Sequence, residues 1–130
     1  MARIVIAEDQ AHIRNVLTMW MTRHGHEVRP ASTGRQAYEI LQGYPADLLI
    51  TDVNMPEMDG IELAAAAFGV CASLKGVFVV TSRCDQHEIF TQLSDPRVHV
   101  FPKPFSPSQL LRDVENVVGA APSSVEIASS

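Results

Sequence analysis

The sequence predicts an α/β fold, a parallel sheet covered by helices on both faces, and three observations point to it. Short continuous apolar runs recur along the chain, as expected of strands buried on both faces. Between them lie segments whose apolar residues repeat at helical spacing. Several runs end on carboxylates or hydroxyls and pass straight into turn-forming residues, so the polar groups gather where an open parallel sheet has its crevice. Five strands alternating with five helices through right-handed crossovers leave few arrangements of the sheet.

In chain order, Ile4-Val5-Ile6-Ala7 is a doubly buried strand with Glu8 and Asp9 at its carboxyl end. The next segment carries Ile13, Val16, Leu17, Trp20 and Met21 at i, i+3, i+4, i+7 and i+8, and Gly25 stops it. Its other side, with Arg14, Asn15 and Arg23, is left for solvent or a partner. His26 to Pro30 is a short polar strand whose proline suits an edge. Thr33 and Gln36 form a capping-box pattern that opens a helix with Ala37, Ile40, Leu41 and Tyr44 inward. Leu48 to Asp52 is the third strand, and Asn54-Met55-Pro56-Glu57-Met58-Asp59-Gly60 turns the chain after it. A helix from Ile61 to about Ala72 follows, with Ile61, Ala64, Ala65 and Phe68 inward and alanine filling much of the rest.

Val77 to Val80 is another buried strand, ending on the hydroxyls of Thr81 and Ser82. Asp85 can cap a helix that runs through Phe90 and Leu93 and ends at Asp95-Pro96. Val98 to Phe101 is the last strand, and Pro102-Lys103-Pro104 closes it. Ser106, Pro107 and Gln109 supply a cap, a first-turn proline and a capping-box partner for a final helix with Leu110, Leu111, Val114, Val117 and Val118 inward. Residues 120–130 are small and polar and read as a mobile tail behind a single domain of residues 1–119.

Composition narrows the function. The 130 residues fit one domain, and a net charge of -5 argues against direct nucleic-acid binding, which needs a basic face. No apolar run approaches a membrane span and the amino terminus has no secretory pattern, so a cytoplasmic protein is expected. Cys71 and Cys84 lack metal spacing and read as packed thiols. The five histidines are scattered and read as surface or edge groups. Gly-rich nucleotide cradles are absent.

In a parallel sheet the carboxyl ends share one edge, so Glu8, Asp9, Asp52, Thr81 and Lys103 are expected around one shallow crevice. Crowded carboxylates either hold a proton or bind a cation. An all-oxygen site with room for water suits magnesium, with manganese able to substitute, and the absence of a nearby histidine in sequence argues against zinc. Glu8 and Asp9 would hold the metal beside Asp52, and the backbone carbonyl of Asn54 can add a ligand. A carboxylate beside magnesium and a lysine can attack phosphorus, because both cations offset charge on the transferring oxygens. Asp52 is then the nucleophile, Lys103 pairs with the phosphoryl group, and the Thr81 hydroxyl donates to it and draws the following loop inward.

With Glu8-Asp9, Asp52 followed by Met55-Pro56 and Met58-Asp59-Gly60, Thr81, and Lys103-Pro104-Phe105 in place, the chain resembles the receiver domain of bacterial two-component response regulators over residues 2–119. The resemblance implies a flavodoxin-like sheet of order 2-1-3-4-5. It also implies phosphoryl transfer from a histidine kinase or histidine phosphotransfer protein, slow self-dephosphorylation, and a cis bond before Pro104 that helps set Lys103. A stand-alone receiver is expected, a carrier or a partner-binding switch rather than an enzyme acting on other substrates. Its kinase would contact the first helix, and its downstream protein would contact the last strand and the helices on either side of it. Met55, Ser82, Arg83 and Pro104 are expected to tune the site from its rim, with Arg83 placed to slow attacking water or engage a partner.

The sequence departs from the family at Val100, three residues before the lysine, where receivers usually carry an aromatic that swings with the threonine. Valine cannot exchange buried and exposed positions in that way, and His99 and Phe101 lie out of phase on the strand. Asp95-Pro96-Arg97 also replaces the usual lead into the last strand.

Taken singly, an Asp-Met-Pro turn is ordinary loop chemistry and Glu8-Asp9 can simply cap a helix. Two other functions compete with the phosphoacceptor reading. A phosphorylation-independent adaptor would keep the fold without needing the acids and lysine. A haloacid dehalogenase-type phosphatase also uses an aspartyl phosphate but carries its nucleophile after the first strand in a DxD arrangement, whereas Asp52 follows the third.

Overall fold

The structure is a computed structural model, and it describes residues 2–81, 95–103 and 106–118. Five strands, β1 (Arg3–Ala7), β2 (Glu27–Ala31), β3 (Leu48–Asp52), β4 (Gly76–Thr81) and β5 (Val98–Pro102), alternate with helices α1 (Ala11–Arg23), α2 (Gly34–Gly43), α3 (Gly60–Val70) and α4 (Pro107–Val118). Every strand pair is parallel, and the order is β2-β1-β3-β4-β5, the flavodoxin-like arrangement expected. Four helices stand among the described residues; the one expected over Asp85–Leu93 lies outside them, as do Ser82, Arg83, Cys84, Pro104 and the tail.

The sheet separates two apolar layers. Val5, Leu49, Val77 and Val79 point to one side, where they meet Ala37 and Leu41 of α2 and Leu63 and Ala67 of α3. Ile4, Ile6, Leu48, Ile50 and Phe78 point to the other, against Leu17 and Met21 of α1 and Leu110, Leu111 and Val114 of α4. Alternation along each strand produces this partition. Burying one large side chain such as Phe78, which is 1 % exposed, contributes roughly 2–3 kcal/mol. The core therefore sits on both faces of the three central strands and leaves their carboxyl ends free to carry polar groups.

Local signals set the helix ends. Thr33 caps α2 through Gln36 N–H (3.0 Å), but the Gln36 side chain accepts from Ser32 N–H (2.9 Å) and does not close the box on Thr33. Asp59 and Glu62 form the full reciprocal box at α3. Ser106 Oγ accepts from Gln109 N–H at α4 (3.4 Å). Gly25 leaves α1 at φ 89°, a conformation glycine adopts without cost.

Two expectations are corrected. Of the α3 residues expected inward, Ala64 is buried and Ile61 and Phe68 are half-buried against the core, but Ala65 is exposed; Gly60, Leu63 and Ala67 complete the buried side, and the helix ends at Val70. With alanine and other apolar residues on all sides, spacing alone did not fix its phase. His26 is not a surface group: it is 6 % exposed, its Nδ1 accepts from Ala2 N–H (3.1 Å), and its Nε2 lies 3.4 Å from Glu115 Oε2 without hydrogen-bond geometry.

Candidate functional site at the carboxyl ends of the strands

Glu8, Asp9, Asp52, Thr81 and Lys103 all stand at one edge of the sheet because β1, β3, β4 and β5 run parallel and finish there. Glu8, Asp9 and Asp52 each bring a carboxylate oxygen within 4.8 Å of the others. Lys103, held by its N–H to Thr81 O (2.8 Å), sets Nζ 3.2 Å from Asp52 Oδ2 and 3.5 Å from Glu8 Oε1.

Asp52 is 8 % exposed, deeper than a shallow crevice implies. Its Oδ1 accepts from Val53 N–H (2.8 Å), which leaves Oδ2 toward the lysine. The loop after it is fixed at two close approaches. A Cβ at Gly60 would overlap the Asp52 carbonyl, and one at Gly34 would overlap the Met58 carbonyl. Gly60 N–H also donates to Val53 O (2.8 Å), so the turn that follows Asp52 closes directly back onto its strand. Asn54 is exposed and Met55 half-buried on this loop, and Glu57 takes φ 73° within it.

Glu8 is 3 % exposed. Burial pushes its carboxyl up from the ordinary value; the Gln10 N–H lowers it, the Asp52 charge raises it, the Lys103 ammonium lowers it, and Asp9 raises it. Glu8 Oε2 also accepts from the N–H of Gln10 at the cap position of α1 (3.1 Å), while the Gln10 side chain makes no capping bond. Asp9 is exposed at the mouth. Thr81 is fully buried at the end of β4. The donor set is all oxygen and acid-rich, and the burial-raised Glu8 beside Asp52 is a crowding that a bound cation relieves. The residues thus fit magnesium.

Val100 is half-buried and packs with the α2 and α3 side of the core, while Phe101 packs on the opposite side against Phe78 (ring centroids 4.9 Å apart). The predicted phase of β5 therefore holds, and no aromatic stands on the Val100 face of this strand. Ser82, Arg83 and Pro104, expected at the rim, lie outside the described residues. One contact escaped the sequence reading. Arg14, assigned to solvent or a partner, turns back and donates from Nη1 to the Glu8 carbonyl (2.8 Å). Its position in the first turns of the helix that follows an acid-tipped strand was the available signal, because long helical side chains lean toward the helix amino terminus.

The family model for the response regulator receiver domain matches residues 4–115. The chain is 37% identical over 122 residues to the response regulator receiver protein CpdR of Brucella abortus, covering 93% of this chain and all of that protein. It is 32% identical over 123 residues to a chemotaxis protein CheY homolog of Campylobacter jejuni, covering 90% of this chain and 92% of the relative. Among solved structures, it resembles chemotaxis protein CheY4 of Vibrio cholerae with a TM-score of 0.78 and 27% identity, over 90% of this chain and 98% of that one.

Proposed function

The chain belongs to the response regulator receiver domain family, and from that premise we propose that Asp52 accepts a phosphoryl group in a magnesium-dependent reaction. The donor is the phosphohistidine of a histidine kinase or of a histidine phosphotransfer protein. One observation carries the reading: a nearly buried Asp52 carboxylate has a lysine ammonium at 3.2 Å and two further carboxylates around it at a strand end.

Glu8, Asp9 and Asp52 would hold the cation, with the Asn54 carbonyl as a further ligand, and the bound ion supplies positive charge opposite the phosphoryl oxygens. An Asp52 carboxylate oxygen attacks phosphorus in line as the phosphorus–nitrogen bond of the donor breaks. The imidazole nitrogen leaves with that bond's electron pair. Lys103 follows the developing charge from Asp52 to the phosphoryl oxygens, and the Thr81 hydroxyl donates to one of them. Water attack on the acyl phosphate later returns the carboxylate and releases inorganic phosphate. The protein is a signalling phosphoacceptor that catalyses only its own phosphorylation and dephosphorylation, and it acts as a carrier or as a switch for a downstream protein.

The adaptor alternative draws on Val100, which removes the usual aromatic readout. Phosphotransfer profiling against purified histidine kinases and phosphotransfer proteins separates the two readings. At least one donor is expected to label the unmutated protein, and Asp52→Asn is expected to remove the label. Retention of the label by Asp52→Asn would count against Asp52, and no transfer from any donor would favour the adaptor.

A further inference from the structure

We infer that Arg14 is a positioning residue for the cation site: its guanidinium fixes the Glu8 backbone and thereby the place of the Glu8 carboxylate. The inference rests on the phosphoacceptor reading above and adds a residue to it.

Glu8 lies one residue beyond the paired stretch of β1, whose register with both β2 and β3 ends at Ala7. Its N–H still reaches Ala31 O (3.0 Å). Beyond that point the ladder no longer specifies the backbone, yet a buried carbonyl needs a donor. Arg14 supplies it at 2.8 Å with a charged group, which makes a shorter and stronger bond than a neutral one. The carboxylate carried by that backbone is then oriented by two further contacts, Oε2 with Gln10 N–H (3.1 Å) and Oε1 with Lys103 Nζ (3.5 Å).

The helix does not need this guanidinium. Arg14 N–H already donates to Gln10 O (3.0 Å), and Arg14 O already accepts from Thr18 Oγ1 (2.8 Å). Its side chain instead ties the start of α1 to the first residue beyond β1, across the bend between them. Magnesium demands near-ideal octahedral geometry, whereas calcium accepts looser and more numerous oxygens. Loosening the Glu8 backbone is therefore more costly for magnesium than for calcium.

The test follows thermal unfolding of the full chain against concentration of magnesium, and separately of calcium, for the unmutated protein, Arg14→Met and Arg14→Lys. A small phosphodonor reports the magnesium dependence of labelling in parallel. The half-saturating magnesium concentration is expected to rise roughly 10-fold in Arg14→Met, as for other residues that orient a metal ligand. The rise is smaller for calcium, Arg14→Lys falls between the two, and labelling at saturating magnesium changes far less than its half-saturation. If Arg14→Met does not fold, Arg14→Gln serves for the same comparison. A lower melting temperature in chelator with unchanged half-saturation in both titrations would reduce Arg14 to a helix-packing residue and overturn the inference alone. No magnesium response in the unmutated protein would overturn the underlying reading as well.

Discussion

At the amino ends of the strands, several charged or polar groups meet partners of their own. Asp95 takes both a side-chain nitrogen pair (3.0 and 2.8 Å) and the backbone N–H of Arg97, whose guanidinium lies 3.8 Å over the Phe68 ring. Tyr44 donates to Glu27 (2.6 Å) under the Arg29 guanidinium, and burial together with Glu27 pushes its hydroxyl up to about 12. Asp47 accepts from Arg3 N–H, and His26 accepts from Ala2 N–H. At the carboxyl ends three carboxylates cluster, and the two buried ones, Glu8 and Asp52, share one lysine among the described residues. Groups paired one to one brace a fold and have nothing left to offer. A buried surplus of one sign is under tension until a cation or a transferred group completes it.

Substitutions at the two ends are expected to differ in kind. The largest effect belongs to Lys103→Ala, which removes the cation proposed to follow charge onto the phosphoryl group; labelling by a small phosphodonor is expected to slow about 100-fold, as when one preorganised donor is lost. Labelling at an unchanged rate would mean that the lysine only balances charge in the resting protein. Next comes His26→Ala at the braced end, where a buried acceptor is lost and Ala2 N–H is stranded. Denaturant unfolding should register about 2 kcal/mol of lost stability, with the magnesium response intact. A weakened magnesium response would show that the two ends are coupled through the sheet.

Glu8→Gln tests the surplus directly, and its sign follows from the raised carboxyl. Folded protein holds this proton above the pH at which the unfolded chain releases it, so the Glu8 contribution to stability is greatest below its ordinary value of 4.5 and declines as pH rises through the shifted value. Near neutral pH and without metal, Glu8→Gln is expected to melt higher than the unmutated protein, with a flatter profile across that window and little gain from magnesium. A lower melting temperature at neutral pH would mean that Lys103 needs Glu8 more than burial penalises it. The smallest shift is expected for Arg97→Ala, where an exposed side chain is lost and its ion pair is screened; a large loss would identify the stack on Phe68 as the principal brace of β5.

Much of this was legible in the sequence, for stated reasons. Apolar runs such as Ile4 to Ala7 and Leu48 to Ile50 admit few readings, and a parallel sheet then brings their ends together without further information. The acid cluster and Lys103 followed from that rule alone. What escaped depends on side chains reaching outside their own element. His26 sits in a polar stretch, and the groups around its ring, Ala2 N–H and Glu115 of α4, are far from it along the chain. Arg14 is on the polar side of α1, and only the bend at Glu8 brings a carbonyl within its reach. In α3 the apolar signal covered every face, so packing set its rotation. Val100 shows the converse: its phase was readable, and it packs half-buried against the α2 and α3 side of the core.

The most direct measurement is intact-mass analysis of the unmutated protein after exposure to a small phosphodonor, with magnesium and with chelator, followed by peptide mapping. One base-labile phosphoryl group on Asp52, formed only with the metal present, is the predicted result. Incorporation that ignores the metal, maps to another residue, or fails altogether would contradict it.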